Sequence, residues 1–260
     1  AAGFAELTID RGLIKPVRDE PRTVFEQAYS PQNMTSPLVR QFSSADIDDF
    51  DGVDVEYFDA VNRQWTTVEC RLPGDAGARV EKMRIAGVTD ETRAWRIGMR
   101  KRRAQRYRRW GYTFNTELDA MNSGYLSYVP LLDDVPGYGQ SAILEDYAVM
   151  GAGAVLRSSE PLDWSAGGAH VVGLRRPDGT LSGPFTATRI DDYRLTSAEQ
   201  PDFTPDLSWE IEPPHIYFGP LIRWNYPALI TEVSPSGNGC SVSAINYDAR
   251  VYADDDNSPP

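Results

Sequence analysis

Alternating apolar and polar residues recur along most of the chain and predict short β-strands. Val53, Val55 and Tyr57 alternate with more polar neighbours, a period of two that is typical of a strand with one buried face. A turn at residues 62–64 leads into residues 65–71, which predict the partner strand of a hairpin. The same pattern predicts strand regions at residues 80–88, 112–118, 125–132, 143–156, 169–176, 185–190, 228–233 and 240–247.

Two turn sequences predict further hairpins. Pro177-Asp178-Gly179-Thr180 and Ser236-Gly237-Asn238-Gly239 stand between strand regions and contain residues that tolerate a positive φ angle. The sequence has no repeat of fixed period, so solenoids and propellers are not expected. Short strands about 10 residues apart, with turns between them, favour barrels or sandwiches.

One long helix is predicted, from Asp90 to about Arg109. Thr89 or Asp90 is the expected N-cap, acidic residues occupy the first turn, and arginines crowd the last turn. The apolar side of this helix is predicted to pack on the first domain. Its basic residues are unusually dense: Arg93, Arg96, Arg100, Lys101, Arg102, Arg103, Arg106, Arg108 and Arg109.

These patterns divide the chain into four predicted segments. Residues 1–37 mix prolines with charges and predict an extended arm or linker. Residues 38–142 predict an α+β domain that carries the helix, and residues 143–252 predict an all-β domain. Residues 253–260 predict an acidic linker that ends in proline. The predicted fold class is therefore mainly β (α+β).

Composition limits the classes of partner. A net charge of −12 repels polyanions on average and is suited to a surface that DNA passes without sticking. The longest apolar stretches, residues 124–132 and 148–156, are about half as long as a membrane helix requires, so no membrane span is expected. The first residues include neither an initiator Met nor a signal-peptide pattern, and we expect a segment of a longer protein.

Most motifs that suggest chemistry have a simpler structural interpretation. His170 and His215 lie in strand-like sequence, where a hydrogen-bonded strand histidine is expected more often than a catalytic one. Residues 139–143 lack the final Gly of a nucleophile elbow, and residues 137–142 match a dinucleotide pattern without the helix that it needs. Cys70 and Cys240 are expected to be small buried hydrophobes, with a disulfide between them left open.

Carboxylates are also dense, but their spacing does not predict a site. The cluster Asp46, Asp48, Asp49, Asp51 and Asp54 departs from EF-hand spacing, so a solvated acidic turn is favoured and calcium binding stays open. Neighbouring residues of a strand point to opposite faces, so neither Asp133-Asp134 nor Asp191-Asp192 is itself a catalytic pair. We therefore predict no catalytic residue, no cofactor and no metal ligand. We also expect that the protein is not an enzyme.

The arginines of the helix are the strongest candidate for a binding surface. Contact with nucleic acid is one hypothesis. The favoured alternative is that they meet the acidic surface of a neighbouring domain or subunit, because arginine is suited to carboxylate pairs. The predicted subunit or domain interface consists of Arg93, Arg96, Arg100, Arg103 and Arg106.

Several motifs, in this order, resemble the tail tip attachment protein J (TipJ-like host specificity) family of long-tailed bacteriophages. They span most of the chain, from about Tyr29 onward. The motifs are Tyr29-Ser30-Pro31-Gln32-Asn33, residues 51–58, residues 84–90 before the helix, Ile216-Tyr217-Phe218-Gly219-Pro220, residues 230–235 and residues 244–252.

This resemblance implies a hub segment of a phage or prophage tail tip, built from β-barrel-like domains of the baseplate-hub type. It implies a homotrimer around the channel that closes the tail tube and takes part in host attachment and DNA release. The implied partners are the distal tail and other tail-tip proteins, the rest of the parent chain with its central fibre, and passing DNA without tight binding. The implied location is the virion tail tip, after synthesis in the bacterial cytoplasm.

A carbohydrate-binding or polysaccharide-cleaving module is the alternative function. The chain has 6 Trp, 13 Tyr and many carboxylates, and aromatic faces and acids are the groups that sugars contact.

Overall fold

The computed structural model describes residues 5–10, 13–44, 49–133 and 139–260. These residues are mainly β with one α-helix, which confirms the predicted fold class. The strands are β1 (Ala5–Asp10), β2 (Leu13–Arg18), β3 (Val39–Phe42), β4 (Gly52–Asp59), β5 (Gln64–Cys70), β6 (Val80–Arg84), β7 (Trp110–Thr116), β8 (Tyr128–Leu131), β9 (Gln140–Met150), β10 (Gly153–Ser158), β11 (His170–Arg175), β12 (Leu181–Arg189), β13 (Arg194–Ser197), β14 (His215–Pro220), β15 (Tyr226–Ser236) and β16 (Gly239–Asn246); the helix is α1 (Glu91–Tyr107), and Leu118–Asn122 and Ala249–Tyr252 are 3₁₀ helices.

The chain forms two compact units, each assembled from separate stretches. Unit 1 comprises Ala1–Arg22, Arg40–Gly111 and Ile245–Pro260, and unit 2 comprises Thr23–Val39 and Tyr112–Ala244. These ranges differ from the contiguous domains that the sequence pattern predicts. Local periodicity identifies strands, but it carries no information on which distant stretches pack together.

The core of unit 1 lies between α1 and a three-stranded sheet. β4 and β5 form the predicted antiparallel hairpin, and β6 pairs with β4 in parallel. Trp95 and Met99 of the helix share a buried cluster with Val55, Val68 and Cys70 of the sheet. The prediction that the helix packs on the first predicted domain is confirmed.

Gly98 allows α1 to approach the sheet closely. A Cβ at this position would lie 2.3 Å from the Sγ of Cys70 and 2.6 Å from the Cγ2 of Val55. We expect Gly98→Ala to lower the free energy of unfolding by roughly 1–2 kcal/mol, because overpacking outweighs the better helix propensity of alanine. Urea denaturation measures this loss. Gly167→Ala, where a Cβ meets nothing within 4 Å, is the control and should leave stability unchanged; a more stable Gly98→Ala would contradict the prediction.

The first part of the predicted arm over residues 1–37 contains two paired strands. β1 and β2 form an antiparallel hairpin in which Ile9 lies opposite Ile14 and Leu7 lies opposite Pro16. Both strands of a two-stranded sheet are edge strands. Proline is tolerated in an edge strand because no neighbouring strand on the outer side needs its N–H group as a hydrogen-bond donor, which accounts for Pro16. Residues 23–39 belong to unit 2.

Unit 2 contains a closed barrel of six antiparallel strands, in the order β10-β13-β12-β11-β14-β9. This confirms the barrel-like prediction at the level of the fold. The residues that fill the barrel are almost fully buried: Leu144, Leu156, Leu174, Leu195, Ile216 and Phe218. Because a closed barrel has no free edge, its strands offer no open ladder to other chains.

The hairpins of unit 2 follow their turn residues. β11 and β12 meet at Gly179, with a φ of 89°, and β15 and β16 meet at Gly237, with a φ of 60°, so both predicted hairpins are confirmed. The region 143–156 is not one strand region, because the chain turns at Gly151, with a φ of 63°, between β9 and β10. Val149 and Met150 are exposed at this turn. Because their side chains are apolar, the strand-like sequence pattern continues through the turn and does not indicate it.

A five-stranded sheet has the order β3-β7-β16-β15-β8. Within unit 2, the extended stretch that contains Tyr29 runs beside β8: the N–H of Tyr29 donates to the carbonyl of Pro130 at 3.1 Å, and the N–H of Leu132 donates to the carbonyl of Tyr29 at 2.9 Å. The side chain of Tyr29 is fully buried. This part of the predicted arm is therefore an integral strand-like element of unit 2.

Candidate functional site: the arginine-rich helix

α1 begins where the sequence predicts. The N–H of Arg93 donates to the side chain of Asp90 at 2.8 Å, which makes Asp90 the N-cap. Residues three and four positions apart on a helix lie on one face, so Arg96, Arg100 and Arg103 form a row. This row is the centre of the predicted interface.

The row of arginines binds residues 254–257 of the same unit. Arg100 forms a two-point contact with the carboxylate of Asp255, with its Nε at 3.1 Å from Oδ1, and Arg103 pairs with Asp254. Arg96 donates to the backbone carbonyls of residues 256 and 257, at 3.0 and 2.8 Å. Half of the predicted linker 253–260 therefore lies against the helix.

Arg108, just past the end of α1, holds the chain after β2. Its Nη1 and Nη2 atoms donate to the two carboxylate oxygens of Asp19 at 2.6 and 2.9 Å. The hydroxyl of Tyr252 accepts from Arg108 at 2.7 Å and donates to Asp19 at 2.5 Å. Three stretches that are distant in sequence thus meet in one hydrogen-bonded group.

Arg102 and Asp75 form a deeply buried ion pair. Nε and Nη2 of Arg102 lie 2.8 and 2.6 Å from the two carboxylate oxygens, and Nη1 donates to the carbonyl of Phe50 at 2.7 Å. The side chains are 7% and 3% exposed. Such two-point arginine–carboxylate contacts are among the strongest hydrogen-bonded pairs in proteins.

The predicted interface residues therefore divide into two groups. Arg96, Arg100 and Arg103 are engaged within unit 1, as described above. Arg106 is half exposed, with its Nη1 at 3.8 Å from Asp75, and Arg93 is exposed at the start of the helix. The assignment of this face to a subunit or domain contact stays a prediction.

The predicted interface does not include the carboxylates that complete the network, one tyrosine, or two arginines that were identified only as members of the dense basic run. These residues are Asp19, Asp75, Arg102, Arg108, Tyr252, Asp254 and Asp255. The run Asp254-Asp255-Asp256 was the available signal, because its charge complements the helix.

The network keeps its carboxylates ionised. Burial by itself raises the pKa of Asp19, but hydrogen bonds and charge from Arg108, with Tyr252 and Arg100, outweigh it and leave the pKa below its ordinary value. The same balance lowers the pKa of Asp75, where Arg102 opposes burial, and that of Asp254, where Arg103 does so.

We expect the network to lose its stabilising effect in acid. A carboxyl group whose pKa is lower in the folded state stabilises the fold above its unfolded pKa, about 4, and loses this contribution as the pH falls through the folded value. Urea denaturation should therefore show a falling free energy of unfolding below about pH 4. Other aspartates contribute to this fall, so the informative comparison is with Asp254→Asn. Its free energy of unfolding should fall less with acid than that of the unsubstituted chain. Equal falls in both proteins would contradict the role of Asp254.

The two histidines are strand residues, as predicted. His170 Nδ1 lies 3.2 Å from the carbonyl of Gly168, and His215 Nε2 lies 3.0 Å from the carboxylate of Glu212. Burial lowers the pKa of His215, although Glu212 opposes this shift. Ser141 is buried within β9 and is not at a turn, so its surroundings differ from those of a nucleophile elbow.

The remaining candidates have structural partners or lie outside the described residues. Asp46, Asp48, Asp134, Gly137 and Tyr138 lie outside them. Within the described part of the chain, no group of three or more His, Cys, Asp or Glu residues is placed to hold a metal ion. Cys70 and Cys240 are free and buried. The other acids are paired: Asp49 with Arg109, Asp51 with the N–H groups of residues 78 and 79, Asp54 with Arg71, Asp191 with Arg194 and Asp192 with Arg189.

Neither the scan against protein-family models nor the search of curated proteins found a match for this chain. Over the described residues, no helix combines the length and hydrophobicity that a bilayer crossing requires.

Proposed function

We propose that this chain is a structural segment of a phage or prophage tail tip, in the central hub that closes the tail tube and links it to the central fibre. The observation that carries the proposal is the closed six-stranded barrel, because the sequence resemblance implies barrel-like hub domains. The ordered motifs from Tyr29 onward support the same conclusion.

The use of charge in unit 1 also supports a structural role. Arg100, Arg102 and Arg108 bind carboxylates that lie far away in the sequence, so they hold separate stretches of one unit together. Arginine–carboxylate contacts of this kind fix geometry and perform no bond chemistry. We accordingly propose no catalytic activity.

In the virion, the proposed partners are two further copies of the chain, other tail-tip proteins and the rest of the parent chain. The net charge of −12 disfavours tight binding to DNA, which suits a wall along which DNA leaves. The proposed location is the tail tip, and the chain is made in the bacterial cytoplasm. Its proposed role there is in host attachment and DNA release.

Immunoelectron microscopy tests the location. Antibodies raised against the chain should label the tail end distal to the capsid in phage particles from the host that encodes it. Antibodies against the major capsid protein serve as the positional control. Label on capsids, or on no particle while the chain is present in the lysate, would refute the proposal.

A charge reversal tests the proposed trimer interface. Arg93 and Arg106 are exposed, so Arg93→Glu with Arg106→Gln should reduce trimer formation by the longer protein. Glutamine at position 106 places no second carboxylate beside Asp75, so the buried pair of Asp75 with Arg102 remains. Arg63→Glu, in an exposed turn, is the matched control. Mass photometry measures the oligomer, and an unchanged trimer fraction in the double variant would remove this face from the interface.

A further inference from the structure

A cavity of about 420 Å³ lies beside the barrel of unit 2. The start of β9, the loop after β10 and the end of β14 with the loop that follows it form its walls. Small-molecule sites in proteins commonly measure about 300–1,000 Å³, so the cavity can hold a small ligand. The residues that matter for its chemistry are Gln140, Glu160, Asp163, Ser165, Phe218 and Arg223.

The loop that supplies the carboxylates is fixed to the barrel. The side-chain amide of Gln140 donates to the carbonyl of Pro161 at 2.7 Å and accepts from the N–H of Asp163 at 2.9 Å. Leu162, between these contacts, is buried in the barrel core. The loop backbone is therefore positioned before any ligand arrives, and so is the carboxylate of Asp163, which accepts from the N–H of Ser165 at 2.8 Å. Such preorganisation favours binding.

The charges around the cavity are mixed. Hydrogen bonds from the hydroxyl and the N–H of Ser165 hold the pKa of Asp163 below its ordinary value, so this carboxylate is ionised at neutral pH. Glu160 adds a second carboxylate and Arg223 a guanidinium group. A small anion would meet two negative charges, and a small cation would meet Arg223. A neutral ligand with several hydroxyls can donate to the carboxylates and accept from the guanidinium group.

The layer in contact with Phe218 contains two unused hydrogen-bonding atoms. The ring of Trp164 lies 4.6 Å from that of Phe218, and the ring of His170 stacks on it at 5.3 Å. Trp164 Nε1 and His170 Nε2 are buried and have no hydrogen-bond partner among the described residues. Buried polar atoms are normally paired, so ordered water at these two atoms is expected, and Phe218 is the member of this layer that lines the cavity.

We propose that this cavity binds a neutral saccharide unit, with Glu160 and Asp163 accepting hydrogen bonds from its hydroxyls and Arg223 donating to its oxygens. This binding is independent of the proposed tail-tip role, and a test of one does not test the other.

Calorimetric titration of the purified chain with methyl α-glucoside, methyl β-galactoside and N-acetylglucosamine, together with an array of bacterial surface glycans, tests the proposal. Binding by at least one saccharide is expected. Glu160→Gln should weaken that binding tenfold or more, because a hydrogen bond to a charged group is lost. Glu210→Gln removes an exposed carboxylate elsewhere in unit 2 and should leave binding unchanged. Thermal unfolding of each variant checks that the fold is intact.

Three results would overturn the proposal. One is the absence of any saccharide signal in both assays. Another is equal saccharide affinity in the unsubstituted chain, Glu160→Gln and Asp163→Asn, which would place saccharide binding outside this cavity. The third is binding of inorganic phosphate or free lysine, titrated in parallel, in place of the sugars, since either would contradict the charge argument.

Discussion

Asp75→Ala is expected to lower the free energy of unfolding by about 3–5 kcal/mol, because it leaves the guanidinium group of Arg102 buried without its partner. Both side chains of the pair are almost fully buried, and Asp75 also accepts from the N–H of Leu72 at 2.6 Å. Urea denaturation followed by tryptophan fluorescence measures the loss.

The exposed pair Arg189–Asp192 provides the control for this experiment. Its side chains are 53% and 65% exposed, and Asp192→Ala is expected to change stability by at most about 1 kcal/mol. The double variant Asp75→Ala with Arg102→Met should lose less than the sum of its single changes, since it leaves no charge unpaired. If Asp75→Ala lowers the free energy of unfolding no more than Asp192→Ala does, burial of the Arg102–Asp75 pair does not increase its contribution to stability.

Leu174→Ala is expected to lower stability by about 2–5 kcal/mol, because it leaves a cavity inside the closed barrel. Leu174 is fully buried and lies opposite Ile216 in the pairing of β11 with β14. Hydrogen exchange measured by mass spectrometry should show faster exchange in peptides from β9, β11 and β14.

Two further substitutions separate the cavity from other causes. Leu174→Met nearly conserves volume and should lose less than about 1.5 kcal/mol. Val149→Ala, at an exposed position of the β9–β10 turn, should lose about 0.5 kcal/mol. Equal losses for Leu174→Ala and Val149→Ala would contradict the assignment of Leu174 to the barrel core.

The sequence predicts those parts of the fold that depend on neighbouring residues. Gly179 and Gly237 mark hairpins because a turn needs positive φ at a particular position, and Asp90 marks the start of α1 because a cap needs a side-chain acceptor there. β13 has only four residues, too few to show a period by themselves, and is not predicted, whereas β8 is equally short but lies within a longer apolar stretch at residues 124–132.

What the sequence cannot predict is the choice of partner across long separations. Arg100 and its partner Asp255 are 155 positions apart, and no local pattern connects them. The helix arginines and the acidic run 254–256 could each be recognised by their charge, whereas the pairing between them could not. The cavity beside the barrel was likewise not predicted, since Glu160, Asp163 and Arg223 line one cavity only when β9, β10 and β14 have joined the barrel.

The long separation between α1 and residues 254–257 has a consequence for the newly made polypeptide. At about 5–20 residues per second, a ribosome adds the 155 residues between Arg100 and Asp255 in roughly 8 to 31 s. During that interval the guanidinium groups of Arg100 and Arg103 have only solution counter-ions in place of these carboxylates. Unit 1 therefore reaches its final set of charge contacts only after all of the barrel residues have been synthesised.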